Sequence, residues 1–100
     1  MSELKNLHII IVNYIKDIEV IDGLLSDHRD FLRGYFDEGV FLLSGPQVPR
    51  TGGIILAQGV SKEKLVELLK DDPFAQAGAA EYKVLEFEPR MASPLFSQAF

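Results

Sequence analysis

The sequence predicts an α+β domain whose elements follow the order β-α-β-β-α-β. Residues 7–15 are rich in β-branched side chains and are apolar on both sides of a two-residue period, which is typical of a strand covered on both faces. The stretch after Asp17 carries apolar residues at intervals of three and four, the period of an amphipathic helix. Shorter apolar runs separated by glycine and proline fill the rest of the 100 residues, a length typical of one domain. We therefore treat residues 1–100 as a single domain.

The first helix and the second strand have recognisable end signals. Asp17 is the expected N-cap of the helix, because an Asp side chain accepts hydrogen bonds from the free N–H groups of a first turn. The helix runs to about residue 38, where Gly39 supplies the left-handed residue that commonly follows a helix. The second strand covers residues 40–44 and ends at Gly45-Pro46.

The remaining elements are a strand, two helices and a final strand. A third strand covers residues 54–58, and Ser61 caps the second long helix. That helix breaks at Asp72-Pro73, where Asp72 also caps a short helix begun by the proline. The last strand covers residues 82–88. Two helices over one face of a four-stranded antiparallel sheet make this arrangement ferredoxin-like.

The sheet face opposite the helices needs a cover of its own. The first strand offers apolar side chains on both faces, His8, Ile10, Val12 and Tyr14 on one and Leu7, Ile9, Ile11 and Ile15 on the other. A second copy packed sheet to sheet is the simplest cover, because a chain this short has little core of its own. We expect a homodimer of the dimeric α+β barrel type. The apolar tail over residues 89–100, with Leu95, Phe96 and Phe100, is expected to dock on the partner subunit.

Composition argues against several classes of function. A formal charge of −5 and a pI near 4.9 argue against nucleic acid, whose binding favours clustered Lys and Arg. The absence of cysteine excludes disulfides and cysteine-ligated metals and fits a reducing cytoplasm. The longest apolar run, residues 9–12, is too short to cross a bilayer, and the N-terminus from Met1 to Lys5 lacks the blocks of an export signal. We expect a soluble cytoplasmic protein with no metal and no nucleic-acid or membrane partner.

His28 is the most informative residue, because it falls inside the apolar stripe of the first helix. The other members of the stripe are Ile21, Leu24, Leu25, Phe31, Leu32, Tyr35 and Phe36. A buried imidazole needs a hydrogen-bond partner. Either His28 is a core side chain bonded to a carbonyl or a tyrosine, or it is a general acid or base oriented by an acceptor.

Two other segments are candidates for the partner and for substrate contacts. The carboxylates of the Asp71-Asp72-Pro73-Phe74 turn are the candidate partners of His28, although capping alone explains Asp72. Ser44-Gly45-Pro46 lies where the second strand leaves the sheet. Glycine there lets a ligand approach closely and serine donates and accepts hydrogen bonds, yet a simple turn explains this segment as well. The candidate apolar walls of a pocket are Phe74, Phe31 and Tyr35.

Other polar residues give weaker signals. Arg50-Thr51-Gly52-Gly53 could form a mobile flap. Arg29 and Arg33, one helical turn apart, either meet an anionic substrate or, as the simpler interpretation, pair with acidic neighbours or solvent. His8 has no Cys, His or paired carboxylates at metal-ligand spacing. The sequence contains neither a phosphate-binding glycine loop nor a nucleophile elbow.

Together these pieces resemble the YCII-related (YciI-like) family over nearly the whole chain. The matching segments are His28-Arg29-Asp30-Phe31-Leu32, Asp37-Glu38-Gly39, Leu42-Leu43-Ser44-Gly45-Pro46, Asp71-Asp72-Pro73-Phe74 and Ala77-Gly78. The resemblance implies a ferredoxin-like dimer with back-to-back sheets. It also implies a pocket in which His28 is the acid or base, Asp72 orients it, and Ser44 lines the same space. Related members include an enzyme that removes chloride from a chlorinated hydroxyhydroquinone, and the fold is similar to that of muconolactone isomerase.

The leading hypothesis is a small enzyme that needs no cofactor. In it, His28 held by Asp72 moves a proton on a small cyclic or aromatic substrate and drives isomerisation or elimination, for example of halide. The expected substrate contacts are Ser44, Gly45, Pro46 and Phe74. The alternative is a non-catalytic dimer that binds a small ligand or assists a partner enzyme. A cofactor-free monooxygenase is a third option, but the chain has no tryptophan and no second suitably placed histidine. The first strand and the short loop over residues 45–53 depart from the commoner family pattern. The substrates of related members are therefore not assigned to this chain.

Overall fold

The computed structural model describes residues 5–98 and has the predicted element order. Its elements are β1 (Leu7–Tyr14), α1 (Ile18–Asp37), β2 (Phe41–Pro46), β3 (Gly52–Gln58), α2 (Lys62–Leu69), α3 (Pro73–Gln76), β4 (Ala80–Phe87) and a 3₁₀ helix over Pro94–Gln98. The ferredoxin-like α+β prediction is confirmed, including the short helix that begins at a proline. Two predicted features, Phe100 of the apolar tail and the N-terminal residues 1–4, lie outside the described residues.

β1 lies inside a four-stranded sheet of order β2-β3-β1-β4, in which every neighbouring pair is antiparallel. Ile10 of β1 pairs with Ile55 on one side and Val84 on the other, and all three side chains belong to the buried core. The helices contribute Ile21 and Leu65 to the same core. Because successive side chains of β1 point to opposite faces of the sheet, its apolar sequence supplies both faces.

α1 packs on the sheet through the predicted stripe. Ile21 and Leu32 are buried in the core. The other apolar members of the stripe are half-buried against it: Leu24, Leu25, Phe31, Tyr35 and Phe36. Gly39 follows the helix with a φ of 75°, a left-handed conformation that glycine adopts without strain. Although α1 is the longest helix within residues 5–98, neither it nor any other helix there is long and apolar enough to cross a bilayer.

The start of α1 differs from the prediction. Asp17 occupies the N-cap position, but its side chain makes no capping hydrogen bond. Its carbonyl oxygen instead accepts from the backbone N–H groups of Val20 and Ile21. Ser61 and Asp72 do cap α2 and α3 with side-chain oxygens, as predicted.

β2 and β3 are both longer than predicted. β2 continues to Pro46, β3 begins at Gly52, and the backbone N–H of Gln47 donates to the Gly52 carbonyl at 2.8 Å. Proline is tolerated because β2 is an edge strand. Glycine is required at position 52, because a Cβ there would overlap the Val12 carbonyl oxygen. Ser44-Gly45-Pro46 is therefore part of the sheet. The prediction that the strand leaves the sheet at this segment is wrong.

The sheet face away from the helices is largely apolar and partly exposed. Its apolar side chains are Leu7, Ile9, Ile11, Leu43, Ile54, Leu56, Leu85 and Phe87. Near one end of this face, Phe96 of the tail joins Leu7 and Phe87 around a hollow of about 240 Å³. A second copy of the chain on this face stays a prediction, and so does docking of the tail on a partner.

Candidate active site

His28 and Asp72 meet where α1 passes the start of α3. Nδ1 of His28 lies 2.8 Å from Oδ1 of Asp72, although the two residues are 44 positions apart in the chain. The His28 side chain is 12% exposed and the Asp72 side chain is fully buried. The structure thus brings together the two residues that the sequence predicts as a pair, and their roles in catalysis stay a prediction.

Both carboxylate oxygens of Asp72 accept hydrogen bonds. Oδ1 accepts from the backbone N–H of Phe74 at 3.1 Å, and Oδ2 accepts from the Tyr82 hydroxyl at 2.6 Å. Asp72 is therefore both the cap of α3 and the partner of His28. Because the carboxylate is the acceptor, we assign the proton to Nδ1 of His28, which leaves a lone pair on Nε2. No residue within the described range hydrogen-bonds Nε2.

Tyr82 is a site residue that sequence reasoning missed. Burial, and then the hydrogen bond to Asp72, raise the pKa of the Tyr82 phenol, so the hydroxyl stays neutral and continues to donate. The available signal is the alternation along β4, which puts Tyr82 on the same face as the buried residues Ala80 and Val84. A tyrosine on a core face needs an acceptor for its hydroxyl.

Aromatic rings hold the imidazole in one plane. The Phe74 ring stacks on His28 with centroids 3.9 Å apart and an angle of 11° between the planes. Tyr14 packs edge-on against Phe74 at 5.8 Å. Since Phe74 is itself buried, it has little room to move. The stack and the contact with Asp72 together fix both the position and the rotation of the His28 ring.

A cleft of about 420 Å³ lies beside His28. Its lining includes His28 and all of the predicted substrate contacts, Ser44, Gly45, Pro46 and Phe74. The other walls are apolar except for Arg29, Arg50 and Tyr14. Asp72 is buried behind the imidazole and does not line the cleft. The volume falls within the range of small-molecule sites.

The pairing of β2 with β3 turns Ser44 toward the cleft. Ser44 pairs with Ile55, whose side chain is in the core, so both side chains lie on the helix side of the sheet. The Ser44 hydroxyl makes no hydrogen bond to any other residue in the described part of the chain. It is available to donate to or accept from a bound molecule.

Phe31 and Tyr35 do not line the cleft, which corrects their prediction as apolar walls. Their rings pack against each other at 5.3 Å, and Tyr35 also packs on Phe41 at 5.2 Å. Both residues lie further along α1 than the site, where the helix covers the start of β2.

Arg50 reaches the cleft from the β2–β3 loop. Its Nη2 donates to Oδ1 of Asp22 at 2.7 Å, and its guanidinium carbon lies 5.9 Å from the centre of the Tyr14 ring. The hydrogen bond to Asp22 is the largest of the causes that raise the pKa of the Arg50 guanidinium above its ordinary value. The loop is anchored by the Gln47 side-chain amide, which donates to the Val12 carbonyl at 3.1 Å. The sequence predicts only a flap here, because the approach of this loop to α1 depends on the β2–β3 pairing.

His8, the second histidine, lies at the other end of β1 from the cleft. Its ring is buried, and Nε2 is 3.5 Å from a Glu86 carboxylate oxygen, outside hydrogen-bond geometry. A hydrogen bond from Asn6 is the largest of the causes that lower the pKa of Glu86. Within residues 5–98, no three His, Cys, Asp or Glu side chains cluster closely enough to hold a metal ion.

The fold is similar to that of 5-chloro-2-hydroxyhydroquinone dehydrochlorinase from Burkholderia phenoliruptrix, a structure in complex with 2,5-dihydroxybenzoquinone. The two structures superpose with a TM-score of 0.71 over 82% of this chain and 93% of the other. Their sequences are 17% identical, a level at which the likeness shows the fold alone. None of the curated proteins matches this sequence.

The comparison with protein-family models identifies the family of this chain. The model of the YCII-related domain matches residues 7–88, a span from the start of β1 to the end of β4 that includes His28 and Asp72. The resemblance inferred from the sequence motifs is thereby confirmed. The chain belongs to the YCII-related domain family.

Proposed function

We propose that this protein is an enzyme that needs no cofactor and uses His28 to move a proton on a small cyclic or aromatic substrate. The reactions that fit are isomerisation and elimination, including loss of halide. The observation that supports the proposal is the His28–Asp72 pair, whose carboxylate is fully buried while its imidazole lines a cleft.

Three side chains have separate roles in this proposal. His28 accepts a proton from the substrate at Nε2 and becomes an imidazolium. Asp72 accepts the hydrogen bond from Nδ1 throughout, which holds the tautomer and stabilises the positive charge. Tyr82 donates to the other carboxylate oxygen and keeps Asp72 in place.

Elimination follows from proton abstraction. When His28 takes a proton from a carbon next to a carbonyl, the electron pair of the broken C–H bond forms a double bond to the adjacent carbon as the halide on that carbon leaves with the electrons of its own bond. The imidazolium then releases its proton to solvent, which completes the loss of hydrogen halide. If the imidazolium instead returns the proton to a different carbon, the outcome is isomerisation. Positioned acid–base catalysis accelerates such steps by about 10²- to 10⁴-fold, which suffices for an activated substrate.

The fold likeness supports this type of reaction. The Burkholderia enzyme is a dehydrochlorinase by name, and its structure holds a quinone. A shared fold hosts many chemistries, so the likeness guides the choice of test substrates and does not assign one. The cleft of about 420 Å³ accommodates a single-ring compound, with Ser44, Gly45 and Pro46 on one wall and Phe74 beside the imidazole.

The test measures turnover in matched variants. Candidate substrates are 5-chloro-2-hydroxyhydroquinone, other chlorinated hydroquinones and unsaturated lactones, with chloride release or a change in ultraviolet absorbance as the readout. We expect His28→Asn to lower kcat by about 100-fold or more, and Asp72→Asn to lower it strongly as well. Asp71→Asn is the control, because Asp71 is an exposed carboxylate in the same turn. A His28→Asn protein with wild-type turnover would refute the proposed mechanism.

A non-catalytic module that binds a small ligand is the second candidate. It is favoured by the capping role of Asp72, since that role explains the buried carboxylate without any chemistry. This candidate predicts that 2,5-dihydroxybenzoquinone, or another single-ring compound, binds in the cleft and is recovered unchanged. Binding without conversion of any test substrate would favour it over the enzyme.

A further inference from the structure

The charged side chains that line the cleft are opposite in sign to the net charge of the chain. The full sequence has a formal charge of −5. Yet the described residues that line the cleft include Arg29 and Arg50 and no Asp or Glu. A positive site on an acidic protein attracts anions and repels cations. We infer that the cleft binds a substrate with an anionic group, a carboxylate or an ionised hydroxyl, and that Arg50 and Arg29 hold that group.

Arg50 lines the cleft, and its guanidinium group can still form hydrogen bonds to a bound molecule. One guanidinium N–H group donates to Asp22, and the Tyr14 ring lies beneath the guanidinium at 5.9 Å. A guanidinium has five N–H donors in a planar fork that matches a carboxylate. The pair with Asp22 is between partly exposed side chains, 39% and 54% accessible, and such pairs are weak in water. An incoming anion can therefore share or replace Asp22.

Arg29 adds a second positive charge to the lining of the cleft. It follows His28 directly and makes no ion pair with any other residue in the described range. Arg33 lies one turn further along α1. Unlike Arg29, it pairs with an acidic residue, Asp30, at 2.6 Å, and it does not line the cleft. The chain thus provides a matched arginine that is outside the proposed site.

The aromatic side chains connect the anion site to the reacting nitrogen. Arg50 lies over Tyr14, Tyr14 packs on Phe74, and Phe74 stacks on the imidazole of His28. These four side chains all line the cleft, so a planar substrate whose anionic group contacts Arg50 occupies the same space as the imidazole of His28. This substrate class rests on the proposed function in one respect, that the cleft is where the substrate binds.

Benzoate and benzamide test the inference, because they have nearly the same shape and only benzoate is charged. Binding to the 100-residue protein is measured by backbone ¹H–¹⁵N chemical shifts during titration. We expect benzoate to shift residues of the cleft at millimolar concentration and benzamide to bind much more weakly. Arg50→Gln is expected to weaken benzoate binding about tenfold, and Arg29→Gln to weaken it by a smaller factor. Arg33→Gln is the control and is expected to change it less than about twofold.

Added salt supplies a readout that does not depend on a variant. Benzoate binding should weaken as ionic strength rises, whereas any benzamide binding should not. No benzoate binding, equal binding of the two compounds, or equal effects of Arg50→Gln and Arg33→Gln would each overturn the inference. The proposed function fails by a different result, namely turnover that survives His28→Asn. Because benzoate binding is measured without turnover, the two failures are distinguishable.

Discussion

At the scale of single residues, Asp72 connects three elements of the fold at the candidate site. Its carboxylate accepts from the backbone of α3 and from the phenol of Tyr82 on β4, and it faces the imidazole of His28 on α1. Three elements therefore meet at one buried group, and each hydrogen bond offsets part of the free energy of burying it. Substitution of Asp72 disturbs all three contacts at once. Tyr82 makes only one of these contacts. A substitution of Tyr82 therefore removes one support of Asp72 and leaves the His28–Asp72 contact in place.

Tyr82→Phe is expected to lower the free energy of unfolding near neutral pH by about 1–2 kcal/mol, because it removes the donor to Oδ2 of Asp72. The pKa of Tyr82 is raised above its ordinary value of 10.0, so the native state holds the phenol proton more tightly than the unfolded chain does. That stabilisation is fully present below pH 10.0 and is lost progressively as the pH rises above it. Urea unfolding on both sides of this pH should show an alkaline loss in the wild type that Tyr82→Phe lacks.

Tyr35→Phe serves as the control for this experiment. The Tyr35 hydroxyl has no hydrogen-bond partner within residues 5–98, so its removal should leave the alkaline loss in place. If the wild type and Tyr82→Phe lose stability equally at high pH, the hydrogen bond to Asp72 does not contribute as inferred.

Sequence reasoning finds the pair and the cleft residues Ser44, Gly45, Pro46 and Phe74, but it does not find the contacts of Tyr82 and Arg50. His28 is recognisable because a titratable ring in an apolar stripe needs a partner, and Asp72 because it precedes a proline that starts a helix. Tyr82 and Arg50 are an ordinary tyrosine in a strand and an ordinary arginine in a loop. Their contacts depend on which strands are neighbours and in which register, and local patterns do not specify that.

At the scale of elements, the β2–β3 hairpin determines the shape of the cleft. The pairing continues through Pro46 after a register shift between Phe41 and Leu43, and this shift places Ser44 and Pro46 on the side of the sheet that faces the helices. Sequence reasoning ends β2 too early, because Gly-Pro is a common turn signal. The signal is overridden because the strand lies at the sheet edge, where a missing N–H is tolerated.

Gly52→Ala is expected to destabilise this hairpin. The added methyl group would overlap the Val12 carbonyl oxygen and crowd the Gln47 amide, so β1 or β3 must shift. We expect the free energy of unfolding to fall by about 2–4 kcal/mol, as measured by urea unfolding. Gly34→Ala is the matched comparison, because its added methyl group would meet no atom within 4 Å apart from its chain neighbours and the adjacent helix backbone. In the helix interior it should raise stability by about 0.5–1 kcal/mol. An unchanged stability of Gly52→Ala would mean that β1 and β3 adapt without loss of packing.

At the scale of the whole molecule, the two faces of the sheet have different surroundings. The helices bury one face, where Ile10, Ile55 and Val84 form the core. On the other face, Leu85 and Phe87 remain 40% and 42% exposed. Contiguous apolar surface of this kind on a small domain is typical of an interface between proteins. The same reasoning applied to the sequence alone predicts a dimer, because β1 is apolar on both sides.

Leu85→Glu tests this dimer, because it places a charge on the uncovered face. We expect light scattering on the wild type at micromolar concentration to give twice the 11.2 kDa mass of the chain, and Leu85→Glu to give the single-chain mass. Val20→Glu is the control, since Val20 is 42% exposed but lies on α1, away from the sheet face. A stable sheet-to-sheet interface must bury on the order of 1,200–2,000 Å² in total, which a four-stranded face can supply. A monomeric wild type would contradict the prediction, and so would a monomer produced by Val20→Glu but not by Leu85→Glu. The second result would place the interface on the helix side of the sheet instead of on the uncovered face.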